Sequence, residues 1–354
     1  MEIQILPLST RKPRIEDESK LVFGKQFTDR MFVMEYDAGK GWHSARIEPY
    51  GPFSLDPAAL VLHYSQEIFE GLKAFRRQDG RIALFRPEEN IKRFNRSARR
   101  MCMPEVDEAF FLKALKELVR LEADWVPRSE GTSLYIRPTM IATEAVLGVK
   151  PADKYLCYII LSPVGAYYKG GVNPVKIWIS DEYVRVAPGG TGEAKTGGNY
   201  AASLFASRAA AQKGFDQVLW LDAVHRKYVE EVGSMNICFL YDGKVVTSPL
   251  KGTILDGITR RSILALVREM GLEIDERALT VDEILDGVAN GRLVEAFGTG
   301  TAAVVSPVGQ FTFRDRTVTL GGGGAGKLTL KLYETLTGIQ YGRLQDPHGW
   351  VEFV

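Results

Sequence analysis

Lys195 is a lysine set among glycines, in Gly189-Gly190-Thr191-Gly192-Glu193-Ala194-Lys195-Thr196-Gly197-Gly198-Asn199-Tyr200. Glycines at this density let a backbone approach a ligand closely and stay there. A lysine in such a setting serves a phosphate, serves a carbonyl carbon, or sits solvated on a surface loop. The phosphate reading has a known form, G-x-x-x-x-G-K-[ST], placed between a strand and a helix. Here Gly189 is followed by four residues and then Ala194-Lys195-Thr196, so the second glycine of that loop is missing. The spacing also predicts that the following helix begins only after Gly197-Gly198, not at the lysine. Both departures argue against a nucleoside-triphosphate loop. On the loop alone, the other two readings stay open.

The segments downstream narrow the choice. Tyr200 to Lys213 predicts a helix with Leu204 and Phe205 on its apolar side and Gly214 as its stop. Asp216 to Leu221 predicts a buried strand, and polar Asp222 to Lys227 a turn. Ile237 to Tyr241 and Lys244 to Thr247 flank Asp242-Gly243, a strong hairpin signal. Glu231 lies between apolar segments, beside Gly233-Ser234. Alone, such a carboxylate is a cap or a surface group. Paired with a glycine-framed lysine upstream, it suggests a pyridoxal phosphate (PLP) site. That cofactor needs a lysine for its aldehyde, a carboxylate for its ring nitrogen and a cradle for its phosphate.

Three motifs in this order, Lys195-Thr-Gly-Gly-Asn-Tyr200, Glu231-Val-Gly-Ser-Met-Asn236 and Phe297-Gly-Thr-Gly-Thr-Ala302, resemble the branched-chain-amino-acid aminotransferases of PLP fold type IV. The similarity runs from about Phe23 to Tyr341-Gly-Arg and Trp350. The resemblance implies a two-domain α+β and α/β fold, of the D-amino-acid-aminotransferase-like type. Its parts are a smaller N-terminal α/β domain (1–164), an interdomain connection and loop (165–192), and a larger C-terminal PLP-binding domain (193–354) with a β-barrel-like core. It also implies ping-pong transamination of leucine, isoleucine and valine with 2-oxoglutarate, giving the 2-oxo acids and L-glutamate. The family further implies a homodimer, in which the first lobe of one subunit reaches toward its neighbour's site.

Residue roles carry over by position. Lys195 would form the Schiff base with PLP and then, freed by the substrate, act as the proton carrier. Glu231 would keep the ring nitrogen protonated, and Tyr200 would donate to the phenolic oxygen. Arg93, in Ile91-Lys-Arg-Phe94, matches the family's phosphate arginine. A guanidinium suits that role because it offers forked donors and stays charged. Ile258 and Thr259 open a helix from Arg260 to Met270, where an anion binds readily. Thr299 would help hold the phosphate, and the amides of Thr301 and Ala302 would take the substrate carboxylate. The matching side-chain pocket is Phe23, Tyr64, Phe69, Tyr135, Tyr167 and Ser234, with Arg137 close by to meet the second carboxylate of glutamate. As single aromatics most of these would read as core; their place in Tyr64-Ser-Gln-Glu-Ile-Phe69-Glu-Gly71 and Ser133-Leu-Tyr-Ile-Arg137 reverses that.

Two departures from the family stand out. Animal members carry C-x-x-C after the Gly-Thr loop, where this chain has Ala302-Ala303-Val304-Val305, so that redox switch is not expected. Ser234 stands where threonine is common, which enlarges the pocket by a methyl. Related D-amino-acid aminotransferases and aminodeoxychorismate lyases are generally shorter and lack the Ser-Leu-Tyr-Ile-Arg and Ile-Gln-Tyr-Gly-Arg segments.

A length of 354 residues suggests about two domains. The net charge of +1 gives no electrostatic case for nucleic acid or an anionic membrane. The basic cluster Lys92, Arg93, Arg96, Arg99 and Arg100 otherwise reads as a solvated helix face. Cys102, Cys157 and Cys238 are too widely spaced for a disulfide framework, and the four histidines form no metal pattern. No metal is expected. The N-terminal stretch has no apolar signal core, and no apolar run approaches the ~20 residues of a membrane helix; a cytoplasmic protein is expected.

The elements that must position these groups follow from periodicity. Strands are predicted around Met31–Tyr36, Ala59–Tyr64, Ser133–Pro138, Tyr155–Leu161 and Val175–Ser180. Helices are predicted over Pro87–Met101, with Ile91, Phe94, Ala98 and Met101 as its stripe, and over Glu108–Trp125. Ala187-Pro-Gly-Gly-Thr-Gly192 reads as a mobile stretch able to close over a substrate. Gly321–Gly324 reads as a surface loop.

Overall fold

The computed structural model describes residues 1–165 and 172–354. The chain runs β1 (Gln4–Ile5), β2 (Arg30–Asp37), β3 (Gly41–Pro49), α1 (Leu60–Tyr64), β4 (Glu67–Phe69), β5 (Leu72–Arg76), β6 (Ile82–Phe85), α2 (Pro87–Arg100), α3 (Glu108–Leu121), β7 (Ser133–Ala142), β8 (Lys154–Val164) and β9 (Val175–Ile179). It continues through α4 (Gly197–Ala201), α5 (Leu204–Gln212), β10 (Gln217–Leu221), β11 (Val229–Val232), β12 (Met235–Tyr241), β13 (Lys244–Thr247), α6 (Ile258–Glu269), β14 (Ile274–Glu276), α7 (Val281–Ala289), β15 (Leu293–Gly300), β16 (Val304–Phe313), β17 (Arg316–Thr319), α8 (Lys327–Tyr341) and β18 (Val351–Phe353).

Two compact units result. Unit 1 is Met1–Tyr167, Ala194–Gly197 and Gly338–Val354; unit 2 is Tyr168–Glu193 and Gly198–Thr337.

Unit 1 is a sheet of order β1-β3-β2-β8-β7-β5-β6-β18, with β4 paired to β7. Its core lies where the sheet meets α2 and α3: Phe32, Ile136, Ile159, Phe94 and Phe111 are all fully buried. Pro87 at the first turn starts α2, and Asp107 caps α3 by accepting from Phe110 N–H at 2.7 Å. The two helices lock through Phe94 and Phe111, stacked at 5.6 Å. A smaller cluster, Met31, Val33, Ile141 and Leu156, is buried separately with Tyr50, Phe53 and Leu55 packed against it.

Unit 2 contains a closed barrel. Around the ring β9-β10-β11-β12-β15-β16, each strand pairs with the next, and β16 pairs back to β9. The barrel-like core implied by the family motifs is therefore present, as six strands. Strands β13, β14 and β17 extend the sheet outside the ring.

Several sequence expectations are corrected. Ala59–Tyr64 is not a strand. Asp56 accepts from Ala58 N–H at 2.8 Å, Ala59 N–H donates to the Asp56 carbonyl at 2.9 Å, and this turn starts α1. Burial there is one-sided rather than alternating, with Leu60 at 1% exposure and Leu62 at 59%. The helix predicted over Tyr200–Lys213 starts earlier, at Gly197, and is broken between α4 and α5, where the Ser203 hydroxyl donates to the Tyr200 carbonyl. Its buried face is Ala206 and Ala210, packed with Val218 and Trp220, while Leu204 and Phe205 are exposed. The second predicted helix stops at Leu121 and gives way to a separate 3-10 turn at Ala123–Trp125. Among the described residues no helix is long and apolar enough to cross a membrane.

Candidate active site

The lysine segment is fixed in unit 1 by its main chain. Lys195 N–H donates to Ser97 Oγ of α2 at 2.9 Å, and the Lys195 carbonyl accepts from Phe69 N–H of β4 at 3.0 Å. The Thr196 hydroxyl donates to the Glu67 carbonyl at 2.7 Å. Residues 195 and 196 thus lie along β4, and the side chain is left to point elsewhere. Lys195 Nζ stands 4.7 Å from the centroid of the Phe69 ring, and the Arg137 guanidinium lies at 4.7 Å from the same ring. An amine and a fixed cation therefore share one aromatic wall.

Around that wall, β7 and the stretch before β2 bring in Tyr135 and Phe23. The Arg137 guanidinium lies 5.3 Å from the Tyr135 ring and donates through Nη2 to the Tyr135 hydroxyl at 3.2 Å. Phe23 packs edge-on to Tyr135 at 4.8 Å. Gly71 is required here, because a Cβ on it would collide with the Tyr135 hydroxyl. Arg137 Nε is buried without a hydrogen-bond partner, which suits a group awaiting an anion. Glu67 is half-buried nearby. Burial holds its carboxyl above the ordinary value, with the Arg137 charge opposing. Tyr64 is placed differently, exposed at the end of α1, with its hydroxyl donating to the Leu147 carbonyl at 2.6 Å. Tyr167 lies outside the described residues.

Arg93 does not belong to a solvated helix face. It is 4% exposed, whereas Arg99 and Arg100 on the same helix are exposed. Its Nε and Nη2 meet both oxygens of buried Glu70, at 2.7 and 2.9 Å. Asn90 Nδ2 and Gly71 N–H donate to the same carboxylate at 2.8 and 3.0 Å. Burial opposes the Glu70 charge, but Arg93, Lys195 and Asn90 outweigh it, so the carboxyl stays below the ordinary carboxylate value. In the sequence, Glu70 is marked only by its place in the Phe69-Glu-Gly71 motif.

In unit 2 the candidate groups are placed by strand register. Glu231 on β11 is opposite Asn236 on β12, and Asn236 is opposite Thr299 on β15. Asn236 Nδ2 donates to Glu231 Oε1 at 3.0 Å and to the Leu255 carbonyl at 2.9 Å, and Leu255 N–H donates to Glu231 Oε1 at 3.2 Å. Glu231 Oε2 lies 2.8 Å from Arg185 Nε, with both side chains buried. The start of α6 approaches so closely that a Cβ on Gly257 would collide with Asn236 Oδ1. No side chain caps that helix, so Ile258 and Thr259 head it with backbone amides. Thr299 is 2% exposed, and its hydroxyl has no hydrogen-bond partner. Thr301 and Ala302 form the turn after β15, and Ser234 the turn between β11 and β12. Tyr200 is half-buried on α4. The stretch before Lys195 is tied down: Thr191 and Asn199 exchange hydrogen bonds at 2.8 Å, and a Cβ on Gly192 would come 2.5 Å from the Thr253 carbonyl oxygen.

Sequence reasoning missed Asn236, Arg185, Glu70 and Ser97 as contributors. Asn236 and Glu70 stood inside quoted motifs; Arg185 and Ser97 carried no local signal.

Comparison with known proteins gives these arrangements a context. The amino-transferase class IV family matches residues 67–311. Branched-chain-amino-acid aminotransferase 2 of Bacillus subtilis (strain 168) is 53% identical over 348 residues, covering 98% of this chain and 96% of that protein. Among solved structures, the Escherichia coli branched-chain amino acid aminotransferase superposes with a TM-score of 0.76 at 25% identity, over 92% of this chain and 98% of that one. The T.th. branched-chain amino acid aminotransferase, solved with N-(5'-phosphopyridoxyl)-L-glutamate, gives 0.74 at 29% identity, over 90% and 98%.

Proposed function

Because the chain belongs to the branched-chain-amino-acid aminotransferases of amino-transferase class IV, we propose that it transfers the amino group of leucine, isoleucine or valine to 2-oxoglutarate, yielding the 2-oxo acid and L-glutamate. The observation that carries this reading is the Lys195 amine held over the Phe69 ring beside the Arg137 guanidinium.

The residues present fit a PLP cofactor. Thr299 offers a buried hydroxyl with no partner, and α6 offers an uncapped start. Both are what a phosphate uses. Glu231 offers a carboxylate fixed by Asn236 and the Leu255 amide. When bound, PLP supplies the carbonyl that accepts the amino group and the ring that draws electrons from the substrate.

Lys195 Nζ would hold the cofactor and then take the proton from the substrate α carbon. Glu231 would keep a proton on the ring nitrogen, and Tyr200 would donate to the phenolic oxygen. Arg93, Thr299 and the amides of Ile258 and Thr259 would hold the phosphate. The amides of Thr301 and Ala302 would take the substrate carboxylate. Phe23, Phe69, Tyr135 and Ser234, with Tyr167, would line the apolar pocket. Arg137 would take the second carboxylate of glutamate. Tyr64, exposed on α1, would serve the site of a second copy in a homodimer. The domains are proposed as 1–164, 165–192 and 193–354, with Ala194–Gly197 and Gly338–Val354 returning to unit 1. Three free thiols fit the reducing cytoplasm.

The test is the visible spectrum of the PLP-loaded protein. A yellow band that shifts with L-leucine and returns with 2-oxoglutarate supports both half-reactions. A yellow protein indifferent to leucine moves the substrate to another class IV chemistry, and one that never takes up PLP ends the reading.

A further inference from the structure

Arg185 has no role in the scheme above, yet it is buried and held from several sides. It is 8% exposed and lies in the stretch that leads from β9 toward Lys195. Its Nε stands 2.8 Å from Glu231 Oε2. The Nε–H is not directed along that line, so the contact is ionic rather than a hydrogen bond. Its Nη2 donates to two backbone carbonyls, Gly192 at 3.2 Å and Thr253. Those carbonyls belong to segments already pressed together, since a Cβ on Gly192 would lie 2.7 Å from Thr253 Cα. The Thr253 hydroxyl in turn donates to Glu230 Oε1 at 2.5 Å. One planar group therefore touches the carboxylate, the end of the glycine-rich stretch and the segment before α6.

Only a guanidinium does this. It stays charged at every accessible pH and presents donors in a rigid fork, whereas an ammonium is a point charge on a flexible stem. On the other side of the same carboxylate, Asn236 and the Leu255 amide hold Oε1. Oε2 faces the cation, so the two oxygens of Glu231 are differently held.

We propose that Arg185 is a positioning residue for the aminotransferase reaction: it clamps Glu231 and the glycine-rich stretch in one geometry and keeps the carboxylate anionic toward the cofactor's ring nitrogen. This rests on the PLP reading above. Two consequences follow. Without the cation the carboxylate becomes more basic and its neighbourhood more negative, so proton equilibria on the bound cofactor move to higher pH. Without the fork the glycine-rich stretch loosens, and cofactor binding weakens.

The experiment compares wild type, Arg185→Met and Arg185→Lys for PLP dissociation constant, the pH midpoint of the visible band, kcat and Tm. In Arg185→Met, PLP binding weakens about tenfold and the midpoint rises by about one unit. In Arg185→Lys, the midpoint stays near wild type while kcat falls. An Arg185→Met protein with lowered Tm but wild-type PLP affinity and midpoint overturns the proposal, because the residue is then merely structural. If Arg185→Met does not fold, Arg185→Lys decides: a wild-type kcat there overturns the fork. If wild type itself binds no PLP, the cofactor reading has failed, which is a distinct outcome.

Discussion

Glu70 and Arg93 form a two-point ion pair inside unit 1, 2.7 Å from Nε to Oε1 and 2.9 Å from Nη2 to Oε2, with both residues buried. Breaking a buried pair from one side leaves an uncompensated charge, at a cost of about 3–5 kcal/mol. Arg93→Ala is therefore expected to lose that much stability in a denaturant titration of the cofactor-free protein. The double variant Glu70→Leu/Arg93→Ala recovers part of it. A single variant as stable as wild type would show that the pair contributes nothing to the fold.

Lys195 is tied into unit 1 through its main chain, by Ser97 and Phe69. Removing the side chain leaves those bonds in place. Lys195→Ala is expected to stay folded, losing about 1 kcal/mol because its charge no longer supports buried Glu70, while losing all transamination. Measurable steady-state turnover of leucine by this variant would exclude Lys195 as the reactive amine.

The Thr299 hydroxyl is buried with no partner. An unsatisfied buried hydroxyl costs about 1–3 kcal/mol. Thr299→Val, which exchanges it for a methyl, is expected to stabilise the cofactor-free protein by up to about 1 kcal/mol and to weaken PLP about tenfold. Chemical denaturation and a PLP titration separate the two effects. A variant that is less stable yet binds PLP normally would refute a phosphate role for this hydroxyl.

Lys73 on β5 lies opposite Tyr135, and burial lowers its amine to about 8. The folded state favours the neutral amine, while the unfolded chain holds its proton up to the ordinary value. The penalty is thus full below pH 8 and is relieved as pH rises toward 10.5. That span corresponds to about 3 kcal/mol. Relative to Lys73→Met, wild type should gain that much stability between pH 7 and 10.5. A difference that stays constant across this range would mean the amine is not desolvated.

The chemistry was more legible in the sequence than its supports. Lys195 and Glu231 stand out by the residue types that a PLP cofactor would demand, and Thr299 by its place in a family motif. The register that sets Glu231, Asn236 and Thr299 opposite one another comes from pairing between three strands. Arg185 and Ser97 act across tens of residues, with no local pattern to mark them. Ala59–Tyr64 misled because a short, mostly apolar run suits a strand or a helical turn equally, and the Asp56 turn before it decided the matter. On α5, large side chains suggested the wrong face. The small Ala206 and Ala210 are what allow that helix to sit close to Val218 and Trp220 on β10.

The sheet that carries Phe69, Tyr135 and Arg137 ends in β18, whose Val351 pairs with Phe85 on β6. Its last rung therefore joins the C-terminal stretch to a strand in the first quarter of the chain. The entropy of closing so long a loop grows only logarithmically, so the native state bears it easily. The rate does not escape so lightly, since long-range strand pairing slows folding. The wall beside Lys195 belongs to a sheet whose last rung is expected to form late, so refolding assays should see activity trail the bulk recovery of secondary structure.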